Sequence, residues 1–150
     1  STSGGGELRM LDAPVRTFQI IYAGVFDRFP KLQMVFAETD CAWIPCVKEQ
    51  MDNRIRRANP KLRPNIKRWP SEYFDDYLSY TYITDTKAVK FRHDVGVASM
   101  MWSSDFPHTG TDWPNSWKVI DEDFADVVAD EKYAILAGNA VSVYKLGDRK

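Results

Sequence analysis

Apolar residues along the chain follow two patterns, one typical of helices and one typical of buried strands. Between Pro14 and Pro30 they recur mostly every three or four positions, which predicts a helix with one apolar stripe. Three short, mostly apolar runs lack this spacing and predict strands: 32–37, 78–83 and 98–102.

Further helices are predicted between and after these runs. Helical spacing or helix-start signals occur over 43–57, 70–74, 87–93, 114–127, 130–137 and 140–146. Strands that alternate with helices indicate a parallel sheet, so the predicted fold class is α/β with three parallel strands. The Gly-rich start predicts a flexible tail over residues 1–12 and a folded unit over residues 13–150.

Polar side chains that follow the predicted strands form the candidate site, because parallel sheets place their chemistry outside the carboxyl ends of the strands. These residues are Glu38, Thr39 and Asp40, then Thr84 and Asp85, then Ser103, Ser104, Asp105 and His108. Carboxylates beside a histidine suit zinc, manganese or iron, which makes Asp105 the first metal-ligand candidate. Ser104 and His108 could supply hydrogen bonds or a proton-transfer group. An Asp-x-x-His after a strand is also a common turn stabiliser, and the residues alone leave both interpretations open.

Composition limits the partners. The chain has 20 basic and 21 acidic residues, and this balance argues against nucleic acid or an anionic membrane. No run approaches the ~20 apolar residues of a membrane span, and no signal peptide is recognisable, so we expect a cytoplasmic protein.

Cys41 and Cys46 fit neither a disulfide framework nor a C-x-x-C motif and are expected to be buried free thiols. Phosphate-loop, dinucleotide and nucleophile-elbow motifs are absent from the sequence.

The segment 54–68 carries seven basic residues and no acidic one. One interpretation is that this segment binds an anionic substrate or a neighbouring subunit. The other is a solvated loop, balanced within the fold by the acid-rich stretch 121–131.

Several segments resemble one enzyme group. Residues 24–38, GVFDRFPKLQMVFAE, resemble the helix-to-strand segment of the amidohydrolase superfamily, in the branch typified by aminocarboxymuconate-semialdehyde decarboxylase. Residues 101–108, MWSSDFPH, resemble that branch's signature after the last barrel strand. Residues 113–116 and 138–140 also match in kind and order.

This resemblance implies a metal-dependent TIM (β/α)8 barrel that hydrolyses, decarboxylates or hydrates small carboxylated or cyclic compounds. It places Asp105 at the position of a metal ligand and proton relay, with Glu38 and His108 as candidate acid/base groups. Glu38 or Thr39 stands where decarboxylating relatives have a histidine. The implied cofactor is a divalent metal, zinc first and manganese as the alternative.

The resemblance covers only part of such a barrel. The family's His-x-His after the first strand and its histidine after the fifth have no counterpart, since the chain has two histidines in other contexts. A barrel takes about 250 residues, so residues 13–150 correspond to its carboxyl-terminal half. Two hypotheses follow: a metal-dependent hydrolase or decarboxylase that is incomplete as this chain alone, or a non-catalytic half-barrel that associates with a partner chain. The expected partners are a small-molecule substrate and either further copies of the chain or the missing amino-terminal half.

Overall fold

Three parallel strands form one sheet in chain order. The computed structural model describes residues 9–148. The strands are β1 (Met34–Phe36), β2 (Leu78–Tyr82) and β3 (Met100–Trp102), and β2 lies between the other two. Met34 pairs with Leu78, and Tyr80 pairs with Met100. This arrangement confirms the predicted α/β class with three parallel strands.

The helices lie between and after the strands. In chain order they are α1 (Arg9–Tyr22), α2 (Val25–Arg28), α3 (Ile44–Arg57), α4 (Pro70–Tyr77), α5 (Thr86–Lys90), α6 (Arg92–Val95), α7 (Ser116–Asp123), α8 (Ala129–Tyr133) and α9 (Asn139–Val143). Helix α3 agrees with its prediction to within one residue. A single π-helical turn, Ala134–Gly138, joins α8 to α9, so the predicted helices 130–137 and 140–146 are one continuous helical segment.

The helix predicted between Pro14 and Pro30 is two helices. Gly24 separates them with a φ of +66°, a left-handed conformation that glycine adopts at little cost. Its N–H donates to the Ile21 carbonyl at 2.8 Å and ends α1. The predicted apolar stripe was therefore wrong at its end, because Phe29 follows the break and is 58% exposed.

The predicted tail, residues 1–12, divides into two parts. Residues 1–8 lie outside the described residues. Residues 9–12 are helical, which corrects the predicted boundary. An ion pair between Arg16 and Asp12, one turn apart, supports this first part of α1.

Large apolar side chains from β2 and the helices form the core. Tyr80 and Tyr82 alternate with Thr81 along β2, so both tyrosines share one face of the sheet. Trp43 packs edge-on against Tyr80, with ring centroids 5.7 Å apart. Other fully buried members include Ile21, Phe26, Ile44, Met51, Phe74, Val89, Met100 and Ile135. Among residues 9–148, no helix is long and apolar enough to cross a membrane.

Candidate metal site

Three predicted site residues lie together beyond the carboxyl end of the sheet. Glu38, Asp105 and His108 each offer one ligand atom, and these atoms all lie within 4.8 Å of one another. Glu38 follows β1 and Asp105 follows β3, so the two outer strands bring together carboxylates that lie 67 positions apart. The structure thus provides the juxtaposition that a shared cation requires.

A turn after β3 holds Asp105 and His108 against each other. The His108 backbone N–H donates to the Asp105 carbonyl at 2.8 Å, and the imidazole Nδ1 lies 2.9 Å from Asp105 Oδ1. The Asp105 side chain is 9% exposed, whereas that of His108 is 70% exposed. The turn-stabilising and ligand-presenting interpretations are therefore compatible, because the turn itself fixes the imidazole beside the carboxylate. Ser104 acts within the turn, where its Oγ accepts from the Phe106 N–H at 3.4 Å.

The backbone at the site is strained. Glu38, Asp40 and Asp105 have φ values of +55°, +53° and +53°. This left-handed region is sparsely populated by residues with a side chain and persists where the surroundings enforce it. Thr81 is one such restraint, since its Oγ1 accepts from the Glu38 N–H at 2.8 Å.

Asp85 fixes the loop that carries Glu38. Its side chain lies just beyond the end of β2 and is buried. Oδ2 accepts from the N–H groups of Cys41 and Ala42 at 2.7 and 2.9 Å, and Oδ1 accepts from the Ala88 N–H at 2.9 Å. The hydrogen bond from Ala88 makes Asp85 the N-cap of α5. One carboxylate thus joins the loop after β1 to the helix after β2.

Trp43 provides a second restraint on the same loop. Its Nε1–H donates to the carbonyls of Thr39 and Asp40, at 3.0 and 3.1 Å.

Burial, and then the negative charge of Asp85, raise the pKa of the Asp40 carboxyl. Asp40 therefore gives up its proton less readily than a solvated aspartate.

Sequence reasoning missed Thr81 and the tethering role of Trp43. The alternation along β2 offered a signal for Thr81, a polar residue on the face opposite Tyr80 and Tyr82. Trp43 gave no such signal, because its hydrogen bonds depend on the path of the loop.

The basic segment lies at the other end of the sheet. The Lys67 N–H donates to Asp27 Oδ2 at 3.0 Å, and Asp27 precedes β1. Arg68 pairs with Asp76, which lies two residues before β2. Since β2 has five residues, about 17 Å of strand separates this end from the candidate site. The interpretation of the basic segment as a contact with the substrate of this candidate site was therefore wrong.

The acidic stretch 121–131 does not neutralise that segment. Among the described residues no ion pair joins the two, and Asp121 and Glu131 pair instead with Lys132 and Arg92.

The two cysteines differ in exposure. Cys41 is buried, as predicted, whereas Cys46 lies on the solvent-exposed side of α3, which corrects its prediction. Burial and the neighbouring charges of Asp85 and Asp40 raise the pKa of the Cys41 thiol well above its usual range.

Comparison with known proteins identifies the family. A family model described as amidohydrolase matches residues 10–146, nearly the whole described chain. The chain belongs to the amidohydrolase family. Comparison with curated proteins gave no significant match.

Solved structures similar to this amidohydrolase chain include three decarboxylases. A dihydroxybenzoic acid decarboxylase from Polaromonas sp. JS666, with bound manganese and the inhibitor 2-nitroresorcinol, has a TM-score of 0.75 and 17% identity over 93% of this chain. The 5-carboxyvanillate decarboxylase from Sphingomonas paucimobilis has a TM-score of 0.68 and 26% identity over 84% of this chain. That from Novosphingobium aromaticivorans, with bound manganese and 3-methoxy-4-hydroxy-5-nitrobenzoic acid, has a TM-score of 0.72 and 19% identity over 91%.

The chain spans about two fifths of those structures: 42%, 37% and 40% of their lengths, respectively. The predicted resemblance to amidohydrolases is confirmed, and the three strands correspond to part of a (β/α)8 barrel.

Proposed function

We propose that Glu38, Asp105 and His108 form part of a divalent-metal centre that acts on a small aromatic carboxylate by decarboxylation. The convergence of their ligand atoms within 4.8 Å carries the proposal. The family match and the 26% identity to a 5-carboxyvanillate decarboxylase support the reaction class.

The donor set fits a divalent cation. Two carboxylates and one imidazole suit manganese and also zinc. The Polaromonas and Novosphingobium structures hold manganese, which favours manganese as the first metal to test. A bound divalent cation would polarise a substrate oxygen and offset the charge of the carboxylates.

The residues of the chain then take separate roles. Asp105 is the metal ligand, and its hydrogen bond to Nδ1 orients the His108 ring. Decarboxylation places a proton on the ring carbon as the bond to the carboxylate breaks and carbon dioxide leaves. Glu38 and His108 are the candidates to hold and deliver that proton, a role open to whichever of the two does not bind the cation.

The proposed active site extends beyond these 150 residues. The described chain supplies three strands of an eight-stranded barrel and three candidate ligands. The remaining strands would come from a longer polypeptide or from another chain.

A second candidate function is association with a partner chain. Within the described residues β1 and β3 each pair only with β2, so each has one unpaired edge. Such edges are available for pairing with another strand. Under this alternative the chain forms a metal-free oligomer whose mass, measured by light scattering, rises with concentration.

Binding of 2-nitroresorcinol, the inhibitor in the Polaromonas structure, tests the enzyme proposal. We expect the wild-type chain to bind it, by absorbance titration, only when Mn²⁺ is present. Asp105→Asn should abolish this binding, whereas the exposed control Asp126→Asn should retain it. Binding that is independent of Mn²⁺, or equal in the Asp105 variant, would contradict the proposed centre. Once the chain is joined by the strands that complete the barrel, release of carbon dioxide from 5-carboxyvanillate separates decarboxylation from hydrolysis.

A further inference from the structure

Two adjoining cavities lie at the amino-terminal end of the sheet. Ile55 and Pro64 line both, and the volumes are about 400 and 380 Å³. Five cations line the pair, which we term the basic groove: Arg54, Arg57, Arg63, Lys67 and Arg68. The groove is therefore distinct from the candidate metal site and does not depend on the proposed function.

Most of these cations lack an anionic partner. Within the described part of the chain, Arg54, Arg63 and Lys67 form no ion pair, whereas Arg68 pairs with Asp76 and Glu72. The nearby acid Asp52 is already hydrogen-bonded, because its two side-chain oxygens accept from the N–H and the hydroxyl of Ser71. Like charges held close together repel one another, so this arrangement opposes folding unless an anion offsets it.

The backbone of Lys67 and Arg68 is nevertheless held by hydrogen bonds. The Lys67 N–H donates to Asp27 Oδ2 and to the Tyr73 hydroxyl, at 3.0 and 3.1 Å. The Arg68 N–H donates to the same hydroxyl at 3.2 Å, and that hydroxyl donates to Asp27 Oδ1 at 2.8 Å. A ligand that binds here therefore meets an ordered loop, so binding does not carry the entropy cost of ordering its backbone.

The groove has a rim that suits a small ligand. Glu72 is the one carboxylate among its lining residues, and its Oε2 already accepts from the Trp69 N–H at 2.8 Å. Trp69 is 45% exposed, and the Arg56 guanidinium lies 5.6 Å from its ring centroid. The carboxylates of Glu72 and Asp76 lie at the edge of the positively charged surface and limit its length. A nucleic acid needs a longer positively charged surface along its backbone, so this arrangement disfavours one.

We propose that the basic groove binds a small polyanion that carries at least two phosphate groups, with one group in each cavity. The arginine fork matches phosphate oxygens in pairs, and lysine supplies a point charge. Among the described residues Arg68 is the one groove cation with an ion pair, so the other four require several negative charges, which a single carboxylate group does not supply.

Isothermal titration calorimetry with sodium tripolyphosphate, in metal-free buffer, tests the proposal. Arg63→Gln/Lys67→Gln should weaken binding at least tenfold relative to wild type. The matched control Lys87→Gln/Lys118→Gln removes the same charge from α5 and α7 and should leave the affinity unchanged. Circular dichroism checks that both double variants remain folded. If both double variants weaken tripolyphosphate binding equally, the effect reflects net charge alone and the proposed site is wrong. Failure of the wild-type chain to bind tripolyphosphate would also overturn the proposal.

Two further titrations identify the ligand and separate it from the metal site. ATP should bind at least as tightly as tripolyphosphate. A tenfold preference for ATP that Trp69→Leu removes would assign a nucleotide, whereas equal affinities would assign the phosphate chain alone. Asp105→Asn should leave tripolyphosphate binding unchanged. If this variant no longer binds tripolyphosphate, the anion binds at the metal site and the proposal is overturned. A single-stranded RNA that binds tenfold more tightly than tripolyphosphate would likewise overturn the small-molecule assignment.

Discussion

Replacing Asp85 by asparagine tests whether one buried carboxylate holds the site loop in place. In the wild-type chain Oδ2 accepts from Cys41 and Ala42, and Oδ1 accepts from Ala88. Asparagine has the same shape but one acceptor oxygen. Its NH₂ group would either face the two loop N–H donors or, when flipped, face the N–H at the start of α5.

The expected destabilisation follows from these three hydrogen bonds. A hydrogen bond to a charged group contributes about 1.5 to 3 kcal/mol, and a buried donor left without a partner adds a similar cost. Against this, an amide costs less to bury than a carboxylate. Because the NH₂ group cannot accept from the loop N–H groups, we expect Asp85→Asn to lower the free energy of unfolding by about 3 kcal/mol. For a domain of this size, the melting temperature should fall by about 10 °C.

Urea unfolding followed by circular dichroism, together with thermal melts, measures this destabilisation. The exposed control Asp126→Asn carries the same chemical change and should alter stability by less than about 0.5 kcal/mol. An effect at position 85 no larger than in this control would refute the assignment of Asp85 as the tether of the loop.

The other predictions concern thiol reactivity, acid stability and the strained backbone. Ellman's reagent should label one thiol per native chain, Cys46, and reach Cys41 only in denaturant; two rapid equivalents would show that Cys41 is accessible. Hydrogen bonds from Arg92 and His93 lower the pKa of Glu131, so its contribution to stability is present above about pH 4.3 and is lost as the pH falls through the lowered value. Glu131→Gln should remove that part of the acid destabilisation in urea titrations across this range, and an unchanged pH profile would contradict the ion pair. Asp105→Asn should change the free energy of unfolding by less than about 1 kcal/mol, because asparagine tolerates the left-handed backbone. A larger change would show that the carboxylate also stabilises the fold.

The sheet and the candidate site were largely predictable, because both follow from local pattern and element order. Apolar runs locate the three strands, and the rule that parallel strands share a carboxyl end brings Glu38 near Asp105. The break at Gly24 was not apparent, since apolar spacing continues through it to Phe29. Periodicity reports which faces are apolar, and it does not report the backbone angle that interrupts a helix.

Long-range restraints were not predictable in this way. Asp85 caps a helix that begins at the next residue, which is a local contact, whereas its hydrogen bonds with Cys41 and Ala42 depend on how β1 and β2 align. By contrast, the position of the basic segment could have been predicted from the order of helices and strands. In a chain of alternating helices and strands, a segment that precedes a strand lies at the amino end of the sheet, opposite the site.

Manganese binding tests the central claim most directly. Electron paramagnetic resonance of free Mn²⁺, titrated against the purified chain, should show one bound ion per chain. Asp105→Asn should abolish that binding, whereas Asp126→Asn should not. A chain that binds no Mn²⁺, or whose Asp105 variant binds it as well as wild type, would contradict a cation site formed by Glu38, Asp105 and His108.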